Sequence, residues 1–235
     1  MITDDQLLAI MPHVPSARRP TCFPFLQAAI EEFEIDRPAR EAAFIAQLAH
    51  ESGELRFMEE IWGPTAAQRR YEPPSTLAAK LGNTETGDGK RFKGRGPIQI
   101  TGRANYKRFG DLLGLDLVAD PPRAAVPDVA FRIAGLFWSK KGLNELADLA
   151  TAESFREITR RINGGFNGLS DRQRFYEVAR TVLGTALGTL PGRKRSSRVR
   201  RKSSLPSEPS FARGYEAILA DRRRRRPAHR RRGSR

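Results

Sequence analysis

The chain has 235 residues, 39% of them hydrophobic and 29% charged, a length that suits one well-buried domain rather than two. Its formal net charge of +15 is uneven: Thr185–Arg235 holds 17 Lys+Arg against 3 Asp+Glu, leaving 25 basic and 24 acidic residues in 1–184, an ordinary near-neutral body. A single cysteine, Cys22, excludes an intramolecular disulfide and suits a reducing compartment, and no stretch approaches the roughly 20 apolar residues of a membrane span.

The opening MITDDQLLAIMP lacks a basic n-region and a long apolar core, so it does not read as a signal peptide and cytoplasmic synthesis is expected. Asp4 or Asp5 caps a short helix reaching Met11, after which Pro12, Pro15 and Pro20 predict a loop. A second helix is expected from Pro24 to Phe33, and a third over Pro38–Gly53, with Pro38 in the first turn, where its missing N–H costs nothing. Thr65–Tyr71 and Ser75–Leu81 read as short helices around Pro73-Pro74, Asn83–Arg95 as a surface loop, and Pro97–Thr101 as a short strand. Asn105–Leu113, Val126–Lys141, Ala152–Ile162 and Ser170–Leu183 complete a mainly α body with little β, residues 1–184. Thr185–Pro206 is too poor in large apolar residues to repay the entropy of folding, so residues 185–235 read as a largely disordered basic tail. Within it Phe211, Tyr215, Ile218 and Leu219 keep helical spacing, which outlines a short amphipathic helix over 211–219.

One residue breaks the pattern of the third helix. Phe44, Leu48, Glu51 and Leu55 fall four, three and four apart, on one face of a 3.6-residue repeat. Desolvation penalises a charged carboxylate so placed, which makes Glu51 a candidate general acid; a glutamate at the stripe's edge, paired with a surface arginine, fits the same spacing. Nine residues on, beyond Gly53, comes Glu60, preceded by Glu59 and followed by Trp62, a flat apolar face for a sugar ring. Two carboxylates in different environments are the equipment of glycoside hydrolysis, one protonating the leaving oxygen and the other activating water.

In Gly87–Tyr106, GDGKRFKGRGPIQITGRANY, the glycines permit close backbone approach. Gln99 and Thr101 then present an amide and a hydroxyl on one side while Ile98 and Ile100 anchor the other, a platform for a water or a sugar hydroxyl; a structural turn with an edge strand reads equally well. Asn163, in Ile162–Gly168, sits where a tight turn holds its amide for an N-acetyl group, although Asn-Gly also suits a purely structural turn. Arg172, at the start of the last helix, is placed to orient a carboxylate; Arg174 and Tyr176 are less specific candidates. His13, His50 and His229 are scattered, and His50-Glu51 lacks the second histidine of a zinc-protease motif, so no metal site is expected.

Together AQLAHESGELRFMEE (Ala46–Glu60), GDGKRFKGRGPIQITGRANY (Gly87–Tyr106) and RINGGFNGLSDRQRFY (Arg161–Tyr176) resemble, in order, the motifs of glycoside hydrolase family 19, the lysozyme-like chitinases and related phage endolysins. The resemblance implies a lysozyme-like α+β fold with a small β element. It makes Glu51 the general acid, Glu60 the base (Glu59 in the alternative register) and Thr101 a residue that positions the nucleophilic water. Gln99, Asn163, Arg172, Trp62 and Tyr106 are implied to serve substrate, Arg172 within the charge network of the carboxylates. It further implies inversion with carboxyl groups roughly 6.5–9.5 Å apart and no cofactor. IWGPTAAQRRYE after Glu60 departs from the commoner asparagine-tyrosine-serine loop.

Three functions compete on this reading. A monomeric endolysin would cleave the β-1,4 bond of peptidoglycan, acting on the cell wall after release from the cytoplasm. A chitinase would cleave N-acetylglucosamine polymers with the same motifs. A polyanion-binding protein would act through Arg222–Arg235 on an anionic envelope or lipopolysaccharide; the lack of interleaved aromatics argues against nucleic acid.

Overall fold

A computed structural model describes residues 1–185. Its helices are α1 (Asp4–Ile10), α2 (Arg19–Glu32), α3 (Pro38–Ser52), α4 (Ala66–Arg69), α5 (Thr76–Leu81), α6 (Asp88–Arg91), α7 (Arg103–Leu113), α8 (Pro127–Lys140), α9 (Leu143–Asp148), α10 (Ala152–Asn163) and α11 (Leu169–Val182), with a 3-10 turn at Pro121–Ala125. The basic tail and the 211–219 helix lie outside the described residues.

α3 is the axis of the body. Pro38 starts it and Gly53, at φ 57°, ends it in the left-handed conformation that glycine adopts at least cost. Every residue from Glu41 to Ser52 is buried, so the helix is covered on all sides rather than along one stripe. Its alanines let neighbours approach closely: α11 and α9 pack against it, and Phe44 makes a T-shaped contact with Trp138 from α8, ring centroids 5.2 Å apart. Arg40 ties α3 to α9 through a fork on Asp148, at 2.7 and 2.6 Å, and this pairing holds the Asp148 carboxyl below its ordinary pKa. α2 packs on α8, and a Cβ at Gly135 of α8 would run into the ring of Phe33.

Four local expectations are corrected. α2 begins before Pro20, because a proline in the first helical turn gives up an N–H that has no helical partner anyway, and Pro24 is carried inside the helix. The 83–95 segment is not all loop: Asp88 caps Thr84 and Glu85 through their N–H groups and starts α6. α9 and the 3-10 turn, too short to show a period, were not anticipated. Pro97–Thr101 is no strand; Gln99 takes φ 54° and the chain turns, leaving only the isolated bridges Glu59–Arg95 and Arg95–Ile100 among the described residues.

After α3 the chain reverses through three consecutive left-handed residues, Gly53, Glu54 and Leu55, the last two at φ 60°. Ser52 holds the turn: its Oγ donates to the Leu48 carbonyl and accepts from Leu55 N at 2.8 Å. The buried Glu54 carboxylate accepts from His13 N at 2.7 Å and lies 3.0 Å from His13 Nδ1. This reversal carries the chain from Glu51 to Glu60.

In an exposed helix Gly→Ala stabilises by about 1 kcal/mol. At position 135 the sign should invert, because overpacking against Phe33 costs about 1–3 kcal/mol. Urea unfolding of Gly135→Ala is expected to show a lower midpoint than the parent.

Candidate active site

Glu51 and Arg172 have 0% side-chain exposure, and Arg172 Nη2 donates to Glu51 Oε1 at 2.5 Å. The arginine that Glu51 pairs with is therefore interior, not superficial. It also donates from Nη1 to Gln47 Oε1 and from Nε to the Asn167 carbonyl at 3.4 Å, while Gln47 Nε2 donates to Thr159 Oγ1 at 2.9 Å. Asn163 Nδ2 donates to the same Asn167 carbonyl, so the Asn-Gly-Gly turn is bound to Arg172 through one backbone oxygen. One oxygen of the Glu51 carboxyl is fixed by Arg172, and the other, Oε2, is buried with no hydrogen-bond partner among the described residues.

A second link joins the same helices one residue earlier on each. His50 Nδ1 lies 2.8 Å from Asp171 Oδ2, and Arg174 donates to Asp171 Oδ1 at 2.9 Å. The His50 hydrogen bond holds the Asp171 carboxyl below its ordinary pKa, against a smaller opposing effect of burial.

The other carboxylate is built on a different network. Glu60 is 4% exposed. Its N–H donates to the Gly94 carbonyl at 2.8 Å, and its Oε2 accepts from Gly94 N at 3.0 Å. Gln68 Nε2 donates to Oε1 at 3.0 Å. A Cβ added to Gly94 would stand 2.7 Å from Gln99 Oε1 and 3.4 Å from both Glu60 Oε2 and Thr101 Oγ1, so three oxygens converge on this one glycine. Gln99 is fixed by donation from Nε2 to the Gly96 and Phe57 carbonyls, at 2.7 and 3.0 Å, and Thr101 Oγ1 donates to the Gln99 carbonyl. Ile98 and Ile100 lie in the core, the anchoring read from the sequence. Beside Glu60 the buried Tyr71 hydroxyl has its pKa raised, by burial first and by the Glu60 charge second, and its ring lies 6.2 Å from that of the half-buried Trp62.

Glu59 points the other way. It is 45% exposed and pairs with Arg95 Nε at 2.9 Å and Lys93 Nζ at 3.3 Å. The register therefore places Glu60 inward. Three residues expected to serve substrate are buried. Tyr106 is fully buried; its hydroxyl donates to the Lys93 carbonyl and accepts from Arg95 Nη1, so it braces Arg95 and has no face for a sugar. Arg172 and Asn163 are likewise interior: Arg172 pairs with Glu51, as its expected place in the charge network of the carboxylates requires, and Asn163 Nδ2 holds the 163–167 turn. Tyr176 stacks on Phe155 at 4.0 Å, inside the core.

Sequence reasoning missed Gln47, Gln68 and Tyr71. Gln47 lies four residues before Glu51 on the same buried face, so the signal that marked Glu51 also marks it. Gln68 was visible as the fourth residue of a T-x-x-Q capping box begun by Thr65. Among the described residues no three His, Cys, Asp or Glu side chains gather as a metal would require.

Gly94 has an ordinary φ, so alanine is tolerated by the backbone but not by the oxygens around it. Gly94→Ala should lower kcat/KM about 10²-fold while the unfolding midpoint moves little, measured on whichever glycan the parent cleaves. For Asp171 the sign is that of a depressed carboxyl: its contribution to stability is full above the ordinary carboxylate pKa of about 4 and is lost as pH falls through the lower folded value. Asp171→Asn should therefore lower the thermal midpoint at neutral pH, with the gap to the parent closing in acid.

Comparison with known proteins places this geometry. The family model for chitinase class I, glycosyl hydrolase family 19, matches residues 21–148. A glycosyl hydrolase family 19 domain-containing protein of Haemophilus influenzae is 32% identical over 201 residues, 76% of this chain and 95% of that one. An Arabidopsis thaliana endochitinase is 43% identical over 125 residues, 53% of this chain, but the chain spans only 39% of that protein's length. In fold, chitinase C of Streptomyces griseus superposes with a TM-score of 0.62 at 22% identity, covering 80% of this chain and 78% of that one. A class IV chitinase of Zea mays gives 0.57 at 23% identity, with 80% and 95% covered. The motifs, the helical fold and a family model spanning over half of its residues agree: the chain belongs to glycoside hydrolase family 19.

Proposed function

We propose that this chain hydrolyses β-1,4 bonds between N-acetylated amino sugars with inversion, Glu51 acting as general acid and Glu60 as general base. The observation that carries the proposal is the contrast between the two buried carboxyls. Glu51 keeps one oxygen on Arg172, and the other, Oε2, has no partner among the described residues; in the reaction the carboxyl, once protonated, gives the proton from Oε2 to the glycosidic oxygen, and Arg172 stabilises the carboxylate left behind. Glu60 is held by two neutral donors, Gln68 and Gly94 N, and retains acceptor capacity on the side where Gln99 Oε1 and Thr101 Oγ1 gather. A water placed there by Thr101 loses a proton to Glu60 as its oxygen attacks the anomeric carbon from the face opposite the leaving group. Trp62 and the exposed Ile61 next to it offer an apolar surface to a sugar ring.

Peptidoglycan is the substrate we favour, cleaved by an enzyme made in the cytoplasm and reaching the wall after release. Support comes from the 17 basic residues of Thr185–Arg235, which suit an anionic envelope. Chitin is the second reading, favoured by the plant relatives named endochitinases.

Reducing ends released from purified sacculi and from chitin oligomers are to be compared for the parent, Glu51→Gln and Glu60→Gln. Each substitution should cost about 10²–10⁴-fold on the cleaved glycan with the fold retained. Turnover of sacculi alone supports the lysin; turnover of chitin alone assigns a chitinase; full activity of either variant overturns the two-carboxylate assignment.

A further inference from the structure

Gln68 sits on α4, in the segment where this chain departs from the commoner family loop, and it is the most fully engaged side chain near Glu60. Its carboxamide is 2% exposed. Oε1 accepts from Thr65 N at 2.8 Å and Gly63 N at 3.2 Å; Nε2 donates to the Ile61 carbonyl at 2.9 Å and to Glu60 Oε1 at 3.0 Å. The amide has one workable orientation, because a flip would set its oxygen against a carbonyl and a carboxylate and its NH₂ against two N–H groups.

We propose that Gln68 is the positioning residue of the base: it occupies Oε1 of Glu60 as a permanent donor, fixes the carboxylate plane together with Gly94 N on Oε2, and leaves the remaining acceptor site of Oε2 to take the proton from water. The inference rests on Glu60 being the base. Oε2 is the oxygen on the Gly94 side, facing Gln99 Oε1 and Thr101 Oγ1, so the choice of oxygen is also a choice of where the water stands. The titratable groups around Glu60 are Tyr71, following α4, and Tyr106 on α7, with the Arg95–Glu59 pair alongside the latter. Burial raises both tyrosines above their ordinary range, so neither changes charge where a carboxylate titrates.

The two roles of Gln68, closing the cap of α4 and donating to Glu60, separate in one substitution. Glutamate serves a capping box as well as glutamine does, so Gln68→Glu keeps an acceptor for Thr65 N and Gly63 N. It removes the donor and sets a second carboxyl against the first. Like-charged carboxyls in contact resist double ionisation, so the ¹³C signal of the Glu60 carboxyl in Gln68→Glu should titrate about one pH unit or more above the parent. The acid limb of kcat/KM should move with it and kcat at neutral pH should fall at least about tenfold in protein that remains folded. Gln68→Ala, which loses the cap as well, should lower both kcat and the thermal midpoint. A parental Glu60 titration in folded Gln68→Glu overturns the positioning role even when Glu60→Gln is inactive. Activity retained in Glu60→Gln instead overturns the base assignment, and the inference with it.

Discussion

The buried pair of Glu51 and Arg172 is the constraint around which the body is arranged. Removing two charges from water costs several kcal/mol per ion, and their attraction repays this only with good geometry and further hydrogen bonds, so such a pair is a poor device for stability. Its value is positional. Arg172 reaches Glu51, Gln47 and the Asn167 carbonyl at once, so α3, α11 and the 163–167 turn must all be in place before the guanidinium is satisfied. Deleting either partner would strand a charge in a water-excluded interior. The alanine-rich α3, buried from Glu41 to Ser52, follows from the same demand, since a carboxyl carried on that stretch is shielded from every side.

Glu60, the proposed base, is built by other means. It is positioned by backbone and amide groups that come from loops and a one-turn helix. The left-handed reversal at residues 53–55 connects the two regimes, and two of its three residues are not glycine. Non-glycine residues in that conformation cost about 1–2 kcal/mol each, a strain the surrounding hydrogen bonds of Ser52 and Glu54 must offset.

Much of this was legible in the sequence where a single local rule governs. Pro38 and Gly53 bound α3, the four-three-four spacing exposes Glu51, and the position of Arg172 after a tight turn points it back to a carboxylate. Legibility failed where the outcome depends on partners distant in sequence. The choice between Glu59 and Glu60 is made by the bridge to Arg95, a contact across 36 residues. The 97–101 segment has the composition of a strand, yet the left-handed turn at Gln99 is imposed by the Gly96 and Phe57 carbonyls it satisfies. Tyr106 belongs to a functional motif and proves to be a buried brace, a distinction that burial alone makes. Gly94 carries no chemistry of its own; its importance is the space it leaves.

The double attachment of Glu60 to Gly94, N–H to carbonyl and N–H to carboxylate, closes a neck between residues 34 apart in sequence. Everything from Ile61 to Lys93 is thereby a loop whose ends are already joined. Lengthening the exposed turns of such a loop costs only about 0.6 kcal/mol per doubling. The segment can act as an exchangeable cassette: evolution, or a protein engineer, can graft a new glycan grip between these two residues while the water-activating machinery stays where it is, provided a donor is supplied in the place of Gln68.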